Sequence, residues 1–423
     1  MIMMTKHFMK EVPFKEVYIT GLIKDENGQK MSKSKGNILD PIDLIDGVSL
    51  EELLAKRTEG MMQPQLKEKI IQQTKNQFPE GIESYGTDAL RYTFYSLASP
   101  GRDINFDIGR IKGYRNFCNK IWNAFRFIEM QIANQSYQSS EGSKDIFSDW
   151  MASKINQTAK NCQTHIKQYR FDLASAEIYE LVWSNFCDWY IEFCKVAIQK
   201  SDNAGQTNSL IKNLITNFYS ILELLHPFMP FITEELSSKL ADLSKLEKSG
   251  YLVENGFNHT KASNQSNEIQ LDKIINIISA LRVIRAENQN IKNETLNLII
   301  SNDLNSDTQS IISENEGVIS GIAKLGKIEF SDQVPAESIE KTMDGYKIII
   351  PLEGLIDPEE EIARLQKELA DVENDIKIIN AKLANKQFVD KAPAEVVKKE
   401  KVKISDAESK KTMLEKSIAK LQP

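Results

Sequence analysis

Six consecutive residues, Lys30-Met31-Ser32-Lys33-Ser34-Lys35, hold three ammonium groups and two hydroxyls, and Gly36-Asn37 follow them. Such a stretch suits phosphate groups. Lysines neutralise the charge, hydroxyls and loop N–H groups donate to phosphate oxygens, and glycine lets the backbone approach closely. The surroundings fit a loop. Val17-Tyr18-Ile19-Thr20 reads as a short buried strand ending at Gly21, and Asp25-Glu26-Asn27-Gly28 has turn chemistry. A solvated Lys/Ser loop is the plainer alternative.

A second constellation lies on a predicted helix, where Arg110, Lys112, Arg115, Lys120 and Arg126 alternate with Tyr114, Phe117, Trp122 and Phe125. Guanidinium groups and aromatic rings side by side can hold unstacked RNA bases. The alternative places Phe117 and Trp122 in a core and leaves the basic residues as a solvated face. Arg282 and Arg285 stand one turn apart and could meet RNA or acidic neighbours. His226 beside Pro227 reads as a helix-end histidine rather than a ligand. Cys118, Cys162, Cys187 and Cys194 never form Cys-x-x-Cys and lie in apolar helical patterns, so they are expected as reduced core thiols with no metal site.

The elements that must position these residues are mostly helices. From Thr87 to about Ser237 the apolar residues recur with the 3.6-residue period, predicting helices over Asp88–Ala98, Ile108–Ile132, Trp150–Tyr169, Leu173–Lys200 and Ser209–Leu225. His226-Pro227-Phe228-Met229-Pro230 should break the last of them. A polar linker over Asn255–Asn267 is expected before a helix from Ile269 to about Asn290. Strand-like runs at Leu296–Ile300, Lys327–Phe330 and Tyr346–Leu352 around a helix over Ser306–Leu325 suggest a small α/β piece. In the tail, Ile362, Leu365, Leu369, Val372, Ile376, Ile379 and Leu383 make a coiled-coil seam. A second helix after Pro393 should fold back on it as an antiparallel hairpin, with a parallel dimer as the alternative.

At 423 residues the chain has the length of about three domains. It is expected to be mainly α, with the remnant of a Rossmann-like α/β domain, a helical bundle, a small α/β subdomain and a coiled-coil hairpin. The expected parts are 1–86, 87–254, 255–356 and 357–423. Met1–Met9 reads as the apolar end of a helix with no cap, so the chain is expected to begin within a domain. With 53 basic and 60 acidic residues the net charge is −7, which confines any polyanion site to a local patch. The tail is asymmetric in charge: Pro358–Ile376 has two basic residues against seven acidic, and Lys377–Lys403 has eight lysines against three acidic residues, which on the residues alone reads as a solvated Lys/Glu coiled coil, with a basic tip for a polyanion as the alternative. No apolar run reaches the ~18 residues of a membrane span and no leader opens the chain, so a cytoplasmic location is expected.

Lys30–Ser34 resembles the second signature of class I aminoacyl-tRNA synthetases. Lys30–Gly47, Arg57–Ile70, Phe78–Asp107, Gly113–Phe127, Leu225–Leu236 and Phe388–Val397 sharpen the resemblance to the bacterial-type valyl-tRNA synthetase family. KMSKSKGN alone would fit isoleucyl and leucyl families equally. The GMMQPQL stretch, the GRDINFD stretch and the terminal hairpin favour the valyl family. The resemblance implies a ligase that joins valine to tRNA(Val) using ATP, with magnesium accompanying ATP. It implies Lys33 and Lys30 as catalytic residues, and Lys30, Met31, Ser32, Lys33, Ser34 and Asn37 at the ATP phosphates. It also implies tRNA contacts from Arg110, Arg115, Lys120, Arg282, Arg285, Lys391, Lys398, Lys399 and Lys401, and a monomer. The family's His-x-Gly-His signature is absent from the sequence, so the expectation is a C-terminal portion lacking that half and the editing domain, inactive in isolation. A non-catalytic tRNA-binding relative or assembly factor is the rival reading. One departure is Ser237, where the family pattern has Trp.

Overall fold

A computed structural model of the chain describes residues 1–32, 35–59, 64–135, 137–138, 145–245, 250–255, 265–288, 291–335, 337–352 and 358–384, with 404, 407, 408 and 411 beyond them. They fall into two units, Met1–Leu271 and Asp272–Pro423.

The first unit opens with helix α1 (Ile2–Met9), which buries none of its residues. The strand expected at Val17–Thr20 is not there. Val17 and Ile19 are 71% and 70% exposed, and the strand is instead β1 (Ile23–Lys24), paired in parallel with β2 (Ile104–Asn105). The reason is hydrogen bonding rather than hydropathy: Ile104 N–H donates to Leu22 O (2.8 Å) and Phe106 N–H to Lys24 O (2.9 Å), whereas, among the described residues, the expected stretch has one bond to this partner, from Gly101 N–H to Ile19 O at 3.3 Å. Gly21 lies so close to the Arg102 carbonyl that no Cβ could fit.

Three short helices follow. In α2 (Pro41–Asp46), Pro41 sits in the first turn and the Asp40 carboxylate accepts the Ile42 N–H. In α3 (Leu50–Thr58), Ser49 caps the Glu52 N–H; α4 (Lys67–Gln77) follows a 3-10 turn at Pro64–Leu66. Their apolar faces close over Leu44, Leu53, Phe78 and Ile82.

Helix α5 (Thr87–Leu97) joins this small body to the bundle, because it has two apolar faces. Ala89 and Leu90 enter the core with Leu44 and Phe106. Tyr92, fully buried, meets Tyr114, Phe117 and Phe228 and donates its hydroxyl proton to Ser175 O at 2.6 Å.

The bundle comprises α6 (Ile108–Asn134), α7 (Ile146–Lys167), α8 (Phe171–Glu180), α9 (Ile191–Lys200) and α10 (Ala204–Leu225). Asp107, Asp145 and Asn203 cap α6, α7 and α10 through N–H groups at 2.8 Å. The single helix expected over Leu173–Lys200 contains a π-helical segment, Leu181–Tyr190, between α8 and α9. Buried Tyr190 bonds Ser148 (2.8 Å) and Asn217 (3.1 Å) there.

The break at His226–Pro230 leads into a further helix, α11 (Pro230–Ser244), in which Ser237 is fully buried. Helix α5 grips both sides of the break. Arg91 donates to Pro227 O (3.2 Å) and Phe228 O (3.4 Å), while the Asp88 carboxylate accepts the first free N–H groups of α11, from Ile232 (2.7 Å) and Phe231 (3.4 Å). The anion meets the N-terminus of α11, its favourable pole, and the cation meets carbonyls of the turn that follows α10. Burial pushes the Asp88 carboxyl up despite these bonds. Beside it, Thr233 donates to Met229 O at 2.7 Å, which leaves its oxygen to accept the His226 Nδ1–H at 2.8 Å.

Helix α12 (Gln265–Glu287) crosses the boundary between the units; most of the expected 255–267 linker lies outside the described residues. In the second unit a four-stranded sheet has the order β4-β3-β6-β5. Strand β3 (Leu296–Ile300) pairs in parallel with β4 (Leu325–Phe330) and antiparallel with β6 (Lys347–Pro351). The crossover is two helices, α13 (Ser306–Glu314) and α14 (Glu316–Ala323), where one was expected. Strand β5 (Ser338–Thr342) was not anticipated, because Ser-Ile-Glu-Lys-Thr holds one apolar residue. Helix α15 (Pro358–Ala384) forms the expected first arm helix. Val372 packs with Leu369, Ile376 and Ala407, and Lys411 pairs with Glu373 at 2.6 Å, so the chain folds back on itself.

All four cysteines are free. Burial pushes the Cys118, Cys162 and Cys187 thiols up to about 12 and raises Cys194 further, which keeps them unreactive. No helix among the described residues is long and apolar enough to cross a membrane.

The gripping of α11 by Asp88 is checked by substitution. Asp88→Ala is expected to lower stability by about 0.5–2 kcal/mol, since it removes the cap from part-buried N–H donors at the start of α11, and Asp88→Asn by less. Equal melting temperatures for wild type and Asp88→Ala would contradict that role.

Candidate functional site

The lysine-rich loop is held from below by two side chains. Asp25 closes a turn: its Oδ1 accepts the Gln29 N–H (2.7 Å) and the Asn27 N–H (3.1 Å), while its backbone N–H donates to Gln29 O at 2.9 Å. Lys24 and Lys30 form an antiparallel bridge just outside that turn. Asn37 then ties the far side of the loop back. Its Nδ2 donates to Asp25 Oδ2 (2.8 Å) and to Lys30 O (3.4 Å), and its Oδ1 accepts the Ser32 N–H at 2.9 Å. Within the loop, Lys35 N–H donates to Ser32 O at 3.1 Å. Partial burial would raise the Asp25 carboxyl, but the bonds from Asn37, Gln29 and Asn27 outweigh it and hold the group below the usual carboxylate range.

Met31 anchors the loop by packing against the small core of Leu44 and Phe106, leaving Lys30 and Lys35 exposed. Gly36 is buried at φ +63°, and a Cβ there would stand 2.7 Å from Ile70, so the turn needs glycine on two counts. Lys33 and Ser34 lie outside the described residues.

Behind the loop is an open cleft of about 580 Å³, lined among others by Asp25, Lys35, Asn37, Arg57, Lys69 and Thr74. Arg57 is buried over the Phe78 ring, 5.1 Å from its centroid, and donates to Thr74 Oγ1 at 3.1 Å. Burial pushes its guanidinium down, and Asp43 opposes this. The Asp43 carboxylate itself pairs with Lys56.

The sequence-predicted RNA contacts divide. Arg110 is exposed on α6. Arg115 pairs with Glu83 at 2.9 Å, with both side chains substantially exposed. Lys120 pairs with Asp188 at 2.6 Å and lies 4.0 Å from the centre of the Trp183 ring. An exposed pair such as Arg115–Glu83 is worth about 0–1 kcal/mol, so Arg115 can exchange a carboxylate for a phosphate, whereas the Lys120 pair is part-buried. Phe117 is fully buried whereas Trp122 is 37% exposed, so only the first is a core residue.

Arg282 is exposed, but Arg285 must be withdrawn from the RNA set. It is buried, and its guanidinium donates to five carbonyls, those of Ile291 (2.9 Å), Lys292 (3.4 Å), Glu294 (2.7 Å), Ala323 (3.1 Å) and Lys324 (3.0 Å). It ties α12 to the segment before β3 and to the end of α14. Lys391, Lys398, Lys399 and Lys401 lie outside the described residues. No group of three or more His, Cys, Asp or Glu side chains disposed to hold a metal occurs among the described residues. Sequence reasoning missed Asp25 and Arg57; the Asp25–Gly28 turn signal pointed to the first, and nothing pointed to the second.

Comparison with known proteins finds three matched stretches. Residues 1–107 match the tRNA synthetases class I (I, L, M and V) family, 148–300 the anticodon-binding domain of tRNA ligase, and 357–422 the valyl tRNA synthetase tRNA binding arm. The valine–tRNA ligase of Francisella tularensis subsp. tularensis (strain SCHU S4 / Schu 4) is 42% identical over 415 residues, which are 96% of this chain and 44% of that protein. The chain thus spans less than half the length of that relative. A crystal structure titled as the ternary complex of Agrobacterium radiobacter K84 agnB2 LeuRS-tRNA-LeuAMS is similar over 78% of this chain and 35% of its own, at 14% identity and a TM-score of 0.38. The three family matches and the Francisella relative mark the chain as part of a class I tRNA synthetase. Within that class the chain belongs to the valyl-tRNA synthetase family, to which both the arm and the Francisella relative point.

Arg285→Met is expected to destabilise the second unit by about 3 kcal/mol, because five carbonyls lose a charged donor in a buried site. Unfolding followed by a probe in β3 or β6 checks it. A loss below about 0.5 kcal/mol would contradict the structural role.

Proposed function

We propose that this chain supplies the ATP-phosphate loop and the tRNA-binding regions of a valine–tRNA ligase, which activates valine with ATP and transfers it to tRNA(Val). The observation that carries this reading is the clasped KMSKS loop, a lysine-bearing turn held by Asp25 and Asn37, in a chain whose other parts match an anticodon-binding domain and a tRNA-binding arm. Residues 1–86 are read as the end of the catalytic domain, 87–254 as the anticodon-binding bundle, 255–356 as a linker, helix and α/β subdomain, and 357–423 as the arm.

In adenylation the valine carboxylate attacks the α-phosphorus of ATP and pyrophosphate leaves, so negative charge grows on the leaving oxygens. A lysine placed on that side stabilises the charge as it develops. Lys33 takes this role, and Lys30 binds ATP and supports loop closure. Ser32 and Ser34 add hydrogen-bonding groups. Asn37 is read here as the holder of the loop, since its amide is already bonded to Asp25 and Ser32. Arg110, Arg115, Lys120 and Arg282 are the proposed tRNA contacts of the folded regions, with Lys391, Lys398, Lys399 and Lys401 on the arm. The sequence holds no His-x-Gly-His, so the chain alone is expected to bind tRNA without adenylating valine. A non-catalytic tRNA-binding protein of the same family is the rival reading.

In the full-length ligase, Lys33→Ala is expected to slow valine-dependent pyrophosphate exchange by about 10²-fold or more with the fold intact. A rate within about threefold of wild type would remove Lys33 from catalysis. Replacing Lys398, Lys399 and Lys401 together by Ala should weaken tRNA binding and flatten its salt dependence by up to ~0.9 in the slope of log K for each phosphate no longer neutralised. Unchanged affinity and slope would show a solvated arm.

A further inference from the structure

The chain turns back on itself at the lysine loop, and one side-chain pair closes the return. Asp25 and Asn37 are twelve residues apart, both partly buried, and meet at 2.8 Å. Both groups make several bonds. The Asp25 carboxylate receives three donors, from Asn27, Gln29 and Asn37. The Asn37 amide accepts from Ser32 N–H on its oxygen and gives its protons to Asp25 and to Lys30 O. Asn37 is thus tied to the Asp25 carboxylate and holds Ser32 and Lys30 through its own amide, and Lys33 falls between Ser32 and Lys35 in sequence.

We propose that Asp25 is a positioning residue for adenylation, acting through Asn37 to set where the lysines of the loop stand against the nucleotide phosphates. This rests on the reading of Lys30–Ser34 as the ATP-phosphate loop. The chemistry of the clasp is polarised: the acceptor must be at 25 and the donor at 37. In Asp25→Asn an amide faces an amide. If the introduced amide turns its oxygen to the Asn27 and Gln29 N–H groups, its NH₂ confronts the NH₂ of Asn37, and if it flips, it confronts those N–H groups instead. In Asn37→Asp two carboxylates oppose each other. The double variant Asp25→Asn/Asn37→Asp restores a donor and an acceptor with their places exchanged. It keeps the acceptor for Ser32 N–H and gives up only the 3.4 Å bond to Lys30 O.

The test is valine-dependent pyrophosphate exchange by the full-length ligase carrying each single change, both together, or Lys33→Ala, with melting temperatures measured alongside. Misplacing reacting groups by ~1 Å can cost up to about 10²-fold. Each clasp variant is accordingly expected to lower kcat about tenfold or more, with KM for valine unchanged, and the double variant to return within about threefold of wild type. A slow Lys33→Ala with clasp variants at wild-type rate would overturn the positioning role and leave the loop reading standing. A double variant as slow as the product of the two singles would also overturn it, because the two side chains would then act separately. A Lys33→Ala enzyme at wild-type rate would refute the loop reading itself. Should the single variants melt early, amide exchange at Ser32 and Lys35 in the folded proteins supplies the second readout. Faster exchange in the singles and recovery in the double support the clasp; exchange unchanged in the singles contradicts it.

Discussion

Two charges on one helical turn hold the arrangement of the first unit. Asp88 and Arg91 reach from α5 to the broken segment between α10 and α11, the anion taking the first free N–H groups of α11 and the cation carbonyls of the turn that follows α10. A proline break at a part-buried place leaves polar groups on both sides, and a missing cap costs about 0.5–2 kcal/mol. The grip answers both sides from a third helix, and in doing so fixes where α5 lies. Tyr92, on that same helix, then seats its ring among Tyr114, Phe117 and Phe228. Because Ala89 and Leu90 belong to the core beneath the lysine loop, one helix serves two hydrophobic interiors.

That sharing bears on chemistry. On the function proposed above, the loop has to be set after closing on ATP and before the leaving group departs, since reorganising it during that step would forfeit the stabilisation. The molecule meets this need at successive depths. Met31 and Gly36 pack the loop onto the small core, Asp25 and Asn37 set its shape, and α5 fastens that core to the bundle.

The sequence carried the helices well, because their apolar spacing is what packing reads. Helices α5, α6, α7 and α10 begin and end within a few residues of expectation. Features governed by backbone hydrogen bonds were poorly legible. The expected strand at Val17–Thr20 has suitable hydropathy, yet the ladder forms at Ile23–Lys24 instead. Strand β5 lacks an apolar run altogether and exists because β6 supplies a partner. The π-helical stretch at Leu181–Tyr190 has ordinary helical spacing, and α11 hid behind prolines that read only as a stop. At the site, the lysines announced themselves by type and density. The clasp did not, since one aspartate and one asparagine twelve residues apart carry no pattern until the chain turns back. Arg285 looked like its neighbour Arg282, and only the carbonyls gathered around it set the two apart.

Through α5, the loop-bearing body and the bundle form one cooperative structure. Native-state hydrogen exchange at rising guanidinium concentration tests this most directly, by comparing amides of α3 and α4 with amides of α6 and α10. If α5 couples them, the slowest amides of both groups converge on a single opening free energy. If α3 and α4 open through a separate event at a lower free energy while the bundle stays protected, the coupling is contradicted.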